Sequence, residues 1–306
     1  MKHLLAVIMK IDWQYTGTSP QKVKTFLKGE GVSRRLLATL KYRGGRLLVN
    51  DNEQWAIDFI QQNDKVSIVL PAEKNKNELK KSFVPIDIAF EDRDFLILNK
   101  PAHVASIPSF LHPEDTLINR VAGYYDNRHL EEFVPHIATR LDRDTSGLVL
   151  FAKHRFAHAL LDQQLQNHQI NKFYTAFVEG KLTDDHGLID EPIQRDPESF
   201  IKRQVGHGEG SQVASTEYWL ERSTQDASQY RIQLHTGRTH QIRVHFASTG
   251  HPLVGDTLYG GHVDMPMERQ ALHCSEIEFY QPFTHRMVNV QSPIALDMQK
   301  FINKNK

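Results

Sequence analysis

The sequence predicts an α+β protein in two unequal parts, on three observations. At 306 residues the chain exceeds one average domain and can bury a substantial core. Segments with helical spacing of apolar residues are interspersed with short strand-like runs, with no internal repeat and no low-complexity tract. Residues 71–82, PAEKNKNELKKS, carry almost nothing apolar to bury and read as a linker, setting a small unit at 1–82 ahead of a larger one at 83–306.

In the first unit Ser19-Pro20 reads as a helix cap and first helical residue, with Val23, Phe26 and Leu27 at helical spacing until Gly29 and Gly31. Ser33 is placed to cap a second helix that buries Leu36, Leu37 and Leu40 and leaves Arg34, Arg35, Lys41 and Arg43 to solvent before Gly44-Gly45. Strand-like runs Leu47 to Val49 and Val66 to Leu70 follow, separated by the turn-rich Asn50-Asp51-Asn52. In the second unit Phe95 to Leu98 and Phe173 to Val178 read as strands, residues 154–168 as a helix and Lys100-Pro101 as a turn.

Charge sums to zero but is unevenly spread. Residues 1–82 hold 15 Lys and Arg against 8 Asp and Glu, leaving 22 against 29 for the rest, so the chain is +7 in front and −7 behind. The front unit is the part suited to face a polyanion, although a lysine-rich solvated surface would give the same count. The single cysteine, Cys274, excludes an intramolecular disulfide framework and a cysteine-based zinc site, and suits a reducing, cytoplasmic home. The apolar run Leu4 to Met9, closed by Lys10 and Asp12, is far shorter than the ~18 residues of a membrane span, so no signal peptide or anchor is expected.

Three segments of the second unit can carry chemistry. The first, Thr139-Arg140-Leu141-Asp142-Arg143-Asp144-Thr145-Ser146-Gly147, sets two carboxylates between arginines ahead of an apolar strand, Leu148 to Ala152. Such a turn is ordinarily structural, with Asp and Ser capping backbone groups and Gly permitting a positive φ. The second, Lys172-Phe173-Tyr174-Thr175-Ala176, enters a strand where a tyrosine ordinarily packs. In the third, Thr236-Gly237-Arg238-Thr239-His240-Gln241-Ile242-Arg243-Val244-His245, Thr239 can cap a helix that stacks Ile242 on Phe246 and stops at Gly250 and Pro252. Arg238 then lies at the helix N-terminus, where free N–H groups already favour a carboxylate.

His235, His240, His245 and His251 cluster in sequence, but helix positions five apart diverge by about 140°, whereas paired metal ligands sit about one turn apart. No metal is expected there. Asp144-Thr145-Ser146-Gly147 departs from the Asp-Thr-Gly of aspartic proteases at Ser146, and no second copy exists.

Together the three segments resemble the RluA/RluD-type pseudouridine synthases, whose motifs run R-L-D-x-x-T-S-G, K-x-Y-x-A, then T-G-R-T-H-Q-I-R-V-H with G-H-P-x-x-G-D-x-x-Y. All occur here in the family's order, the last as Gly250-His251-Pro252, Gly255-Asp256 and Tyr259. Phe90 to Pro101 matches the family's E-D-x-x-x-x-x-N-K-P opening, so the resemblance covers about residues 84–295. One departure is Thr139, where many relatives have His. The N-terminal unit separately resembles the small RNA-binding domain of ribosomal protein S4 and tyrosyl-tRNA synthetases, on Ser33-Arg34-Arg35 and Lys41-Tyr42-Arg43-Gly44-Gly45.

The resemblance implies a mainly antiparallel mixed sheet flanked by helices, an active cleft across it and a flexibly tethered α/β RNA-binding domain in front. The expected activity is isomerisation of uridine to pseudouridine in structured RNA, ribosomal in preference to transfer RNA, by a monomer without cofactor, metal or membrane association. Such a reaction moves ribose from uracil N1 to C5 with no redox change, and a carboxylate can attack C1′ or stabilise positive charge on it while the base departs. The resemblance puts Asp142 in that role rather than Asp144, with a covalent ester and an elimination through a glycal both open. It sets Arg238 against Asp142 to hold it ionised, and Tyr174 under the uracil, as a stacking face or as acceptor of the C5 proton. Arg140, His240 and Arg243 in the cleft, and Arg34, Arg35, Lys41 and Arg43 in front, are the expected RNA contacts. The competing reading is a non-catalytic RNA-binding or ribosome-assembly protein that retains the fold.

Overall fold

The computed structural model of the protein describes residues 9–73, 79–130, 133–224, 226–262 and 267–304. Residues 4–8 of the apolar N-terminal run and 74–78 of the expected linker lie outside them. No helix among the described residues is long and apolar enough to cross a membrane.

The first part contains strands β1 (Lys10–Gln14), β2 (Gln21–Lys22), β3 (Arg46–Val49), β4 (Asn52–Glu53), β5 (Phe59–Ile60) and β6 (Lys65–Val69), with helices α1 (Val23–Gly29) and α2 (Arg34–Tyr42). Ser33 caps α2 as expected, its hydroxyl accepting the Leu36 N–H at 3.1 Å. Ser19-Pro20 does not open α1: the chain first pairs Gln21 and Lys22 with β5 and turns helical only at Val23. The β-ladder satisfies backbone groups that a cap would otherwise serve. Asn50 and Asp51, both at positive φ, make the tight turn from β3 to β4.

The larger part contains β7 (Ile88–Glu91), β8 (Phe95–Lys100), α3 (Leu117–Asn127), β9 (His136–Ile137), β10 (Ser146–Ala152), α4 (Arg155–Gln166), β11 (Asn171–Glu179), β12 (His186–Asp190), β13 (Ile193–Arg195), β14 (Arg203–Val205), β15 (Ser215–Ser223), β16 (Ala227–Leu234), α5 (Gln241–Ser248), β17 (Leu272–Gln281), β18 (Arg286–Gln291) and α6 (Leu296–Lys304). Its sheet runs β12-β15-β16-β11-β17-β10-β8-β7, with β18 on β17 and β9 on β10. Every pairing is antiparallel except β10 with β17, so the sheet is mixed and mainly antiparallel, as expected. Buried on both faces, β10 is apolar from Leu148 to Ala152 without alternation.

The parallel step positions the site. Gly147, at φ 111°, lies so close to β17 that a Cβ there would stand 2.3 Å from the Cys274 carbonyl oxygen. In register, Gly147 faces Cys274 and Cys274 faces Tyr174, which brings the loop preceding β10 beside the middle strand of the second motif.

The front part is seated on the rest of the chain, which corrects the expectation of a flexible tether. Phe156 and Leu160 of α4 are buried in one cluster with Val23, Leu27, Val32 and Ile68, and Phe156 meets Trp13 edge to face at 6.2 Å. At the visible start of the linker, Glu73 accepts the Arg155 N–H at 2.6 Å and bonds His136 Nε2 at 3.0 Å. A linker poor in apolar residues reveals nothing of apolar side chains far along the chain that fill the joint.

Candidate active site

The Asp142 loop is held by its backbone. Leu141 is bonded at both polar groups by one side chain: Ser106 Oγ accepts its N–H at 3.1 Å and donates to its carbonyl at 2.6 Å. Lys100, wholly buried, donates to the carbonyls of Arg143, Pro101 and Val104 at 2.8–2.9 Å, and burial pulls its amine down to about 7 despite the nearby Asp142 and Asp144. Arg269 donates to the Asp144 carbonyl at 3.0 Å and to Ser146 Oγ at 3.1 Å while its other face pairs with Asp297. Of these clamps only Lys100 lies in a segment that the sequence marked.

The two aspartates of this loop have different surroundings. Asp144 is taken up by Nε and Nη2 of Arg143, each at 2.9 Å, and by His103 Nδ1 at 2.9 Å, and although burial pushes its carboxyl up, these partners hold it below the usual range. Asp142 faces a cleft of about 770 Å³ that is also lined by Arg140, Tyr174, Arg238, His240 and Arg243.

Arg243, not Arg238, meets the Asp142 carboxylate. Its Nη1 donates to Asp142 Oδ2 at 3.2 Å, and its Nε and Nη2 grip Asp256 at 2.7 and 2.8 Å. Asp256, itself buried, fixes the guanidinium plane, and Tyr259 covers that plane with its ring centroid 4.9 Å from Cζ. Arg238 is exposed at the rim, where its Nε donates to the Val213 carbonyl at 2.9 Å. The displacement follows from where the helix starts. α5 begins at Gln241, its cap position is His240 at φ 58°, and no side chain caps it, so Thr239 does not serve as the cap. Gln241 binds the preceding loop inward instead, accepting the Arg238 N–H and the Thr236 hydroxyl and donating to Ser215 and Thr216. That leaves Arg243, in the first turn of α5, facing the loop of β10. The helix stops as read from Gly250: the N–H groups of Gly250 and His251 return to the carbonyls of Ala247 and Phe246, with Gly250 at φ 82°.

His240 also faces Asp142, its Nε2 3.8 Å from Oδ2, while its Nδ1 bonds the Tyr259 hydroxyl at 2.8 Å. Tyr259 Oη also accepts the Arg203 N–H at 2.9 Å, so one hydroxyl ties the β14 backbone to the His240 ring and holds Nε2 toward the carboxylate. Burial pulls its pKa down, which keeps the ring neutral near pH 7. Tyr174 is almost fully buried, and burial, then Cys274 and Asp142, push its phenol well above 10.

The remaining histidines of the sequence cluster have other partners. His235 pairs with Glu217 at 2.8 Å, His245 is buried between Thr216 Oγ1 and the Glu191 carbonyl, and His251 bonds the Glu179 carbonyl. Among the described residues, no group of three His, Cys, Asp or Glu side chains is placed to hold a metal ion. Thr139 is buried, and its hydroxyl accepts the Leu150 N–H at 3.0 Å, a task within the sheet. Arg34, Arg35, Lys41 and Arg43 line no part of the cleft; they lie on α2 and the turn after it, exposed and without ionic partners among the described residues.

The sequence profile of RNA pseudouridylate synthases matches residues 94–248, just over half of the chain and inclusive of the three segments up to His245. The chain belongs to the RNA pseudouridylate synthase family. It is 39% identical over 280 residues to the uncharacterized RNA pseudouridine synthase YjbO of Bacillus subtilis, covering 92% of this chain and 98% of that one. To ribosomal large subunit pseudouridine synthase D of Escherichia coli it is 36% identical over 234 residues, 72% of this chain and 70% of that one. The fold of human RNA pseudouridylate synthase domain containing 1 superposes with a TM-score of 0.57 at 25% identity, covering 69% of this chain and 84% of that one. The protein is thus an RNA-acting isomerase of the RluA/RluD type.

The buried histidine behind the Asp142 loop of this synthase sets an acid limit. His273 is 1% exposed, bonds Ser146 Oγ through Nδ1 at 2.9 Å, and burial beside Arg269 pulls it down to about 4. Between pH 6.5 and 4 the unfolded chain therefore takes up a proton that the folded one refuses, and stability falls as pH falls through that window. Urea unfolding at pH 7 and pH 4 is expected to show a loss that His273→Gln reduces by roughly 3 kcal/mol. Equal pH dependence in both proteins would remove His273 from this account.

Proposed function

We propose that this synthase isomerises particular uridines of ribosomal RNA in the cytoplasm, as a monomer without metal, with Asp142 as its catalytic carboxylate. The observation that carries the residue assignment is the array Asp142–Arg243–Asp256, in which a buried Arg243–Asp256 pair stands behind the cleft-lining Asp142. A guanidinium oriented by one carboxylate and donating to a second keeps that second group aimed without consuming its free oxygen. The preference for ribosomal RNA rests on the name of the Escherichia coli relative, a ribosomal large subunit enzyme.

In this reading the C1′–N1 bond breaks while Asp142 attacks C1′ or bears its developing positive charge. The uracil turns within the cleft, the C1′–C5 bond forms, C5 loses its proton and N1 gains one. Atoms and charge balance with no second substrate. Tyr174, held as a neutral phenol, offers uracil its face rather than a base, and stacking there offsets part of the cost of flipping the nucleotide out. His240 presents Nε2 to the carboxylate and to the space a uracil would occupy. Arg140 and Arg238, exposed at the cleft, and the cations of α2 meet phosphates, which position RNA without reading its sequence.

Pseudouridine mapping of total RNA by carbodiimide labelling and primer extension, in cells with and without the gene, tests this. One or more ribosomal sites are expected to vanish on deletion and return with the wild-type gene. Lost sites in transfer RNA only would redirect the substrate, and no lost site would favour the binding-protein reading.

A further inference from the structure

The front part carries a second feature, apart from the cleft. Tyr42 at the end of α2, Trp55 in the turn after β4 and Phe59 on β5 are 73%, 63% and 63% exposed. These are large apolar surfaces to leave in water, and each ring has an ammonium over it. Lys41 Nζ lies 5.0 Å from the Tyr42 centroid and 5.6 Å from that of Trp55, and Lys22 Nζ lies 5.7 Å from that of Phe59. The scaffold beneath is ordered by hydrogen bonds: Asp58 accepts the Trp55 N–H at 2.7 Å, and the N–H groups of Val23 and Lys24 in α1 donate to the carbonyls of Asp58 and Ala56. Lys22, Lys41 and Arg43 have no ionic partner among the described residues, and the surrounding unit carries the +7 charge. An apolar protein partner would have to bury these unpaired cations, whereas a polyanion made of flat rings satisfies both properties at once.

We propose that Tyr42, Trp55 and Phe59, with Lys22 and Lys41, form a stacking platform for unpaired bases of the RNA, separate from the cleft that receives the target uridine. This rests on the reading of the protein as an RNA-modifying enzyme. Lys41 serves Tyr42 and Trp55 together and Lys22 serves Phe59; the exposed ring surface is offered to bases, and the ammonium groups reach the adjoining phosphates. Because every base has a π-face, the platform selects unpaired over duplex RNA rather than one sequence, and so directs the enzyme to uridines next to loops or bulges.

The test uses the full chain and two probes, a fluorescein-labelled 12-mer oligouridylate and a 12-base-pair RNA duplex, with affinity read by anisotropy over a salt series. Trp55→Ala and Tyr42→Ala, both at exposed positions, are each expected to weaken 12-mer binding about tenfold, while Trp55→Phe stays within about threefold of wild type. The slope of log Kd against log salt is expected to stay unchanged in the aromatic variants and to become shallower in Lys41→Gln, since only the latter removes a phosphate contact. Tryptophan emission of the wild type falls on adding the 12-mer, and most of that fall is lost in Trp55→Ala. Unchanged 12-mer affinity in Trp55→Ala, or an equal loss on the duplex, overturns the platform. Turnover of a large-subunit ribosomal RNA transcript is measured on the same preparations: turnover with no aromatic effect defeats the platform alone, whereas binding through the aromatics with no turnover on any RNA defeats the catalytic reading alone.

Discussion

Asp142→Asn is expected to abolish pseudouridine formation on a ribosomal RNA transcript, by about 10⁴-fold or more, while the dissociation constant for that RNA changes by less than about threefold. The substitution is isosteric. Leu141 and Arg143 remain clamped by Ser106 and Lys100, and Arg243 keeps its paired contact with Asp256, so the loop geometry has no reason to change. What the substitution removes is the negative charge that the proposed mechanism sets at C1′. Asp144→Asn, by contrast, is expected to leave turnover within about tenfold, because that carboxylate is committed to Arg143 and His103 at the edge of the loop. The measurement is single-turnover release of label from C5 of uridine with each purified variant. Comparable losses in the two variants would show that the loop, not one carboxylate, carries the effect.

The second large effect separates two arginines. Arg243→Met is expected to lower kcat by about 10²–10³-fold with little change in KM, the size expected when a preorganised charged donor is removed from a buried site. It also strands Asp256, so a fall in melting temperature accompanies it. Arg243→Lys controls for this by keeping the charge while losing the planar fork, and is expected to recover stability more than rate. Arg238→Met should raise KM several-fold and leave kcat near wild type, since its Nε serves the Val213 carbonyl and the side chain lies at the rim. A larger kcat loss in Arg238→Met than in Arg243→Met would return the partner of Asp142 to Arg238.

The choice between these arginines shows where reading the sequence runs out. Both lie in T-G-R-T-H-Q-I-R-V-H, and a helix capped by Thr239 would put Arg238 at a helix terminus facing a carboxylate. The helix starts one residue later, and the side chain of Gln241, whose role a linear pattern does not show, is the partner for the loop: buried, it satisfies two donors and two acceptors. Similarly, G-D-x-x-Y is visible as a motif, but its work becomes clear only when Asp256 grips the edge of the Arg243 guanidinium, Tyr259 covers its face and the Tyr259 hydroxyl bonds His240 Nδ1.

By itself the sequence determined what depends on local order along the chain. Ser33 caps a helix because a hydroxyl three residues ahead of a free N–H can reach it, Gly250 ends another because it tolerates positive φ, and the ordered set of motifs identifies the family and its chemistry. The tertiary structure decided everything that depends on residues far apart: the clamps of Ser106, Lys100 and Arg269 on the Asp142 loop, the pairing of Arg243 with Asp142 across 101 positions, and the seating of the front unit on Phe156 and Leu160. The physical reason is that hydrogen-bond and ion-pair partners are chosen by proximity in the folded chain, where desolvation makes each unpaired group costly, and proximity across a ten-stranded sheet is set by strand order and register rather than by spacing in sequence.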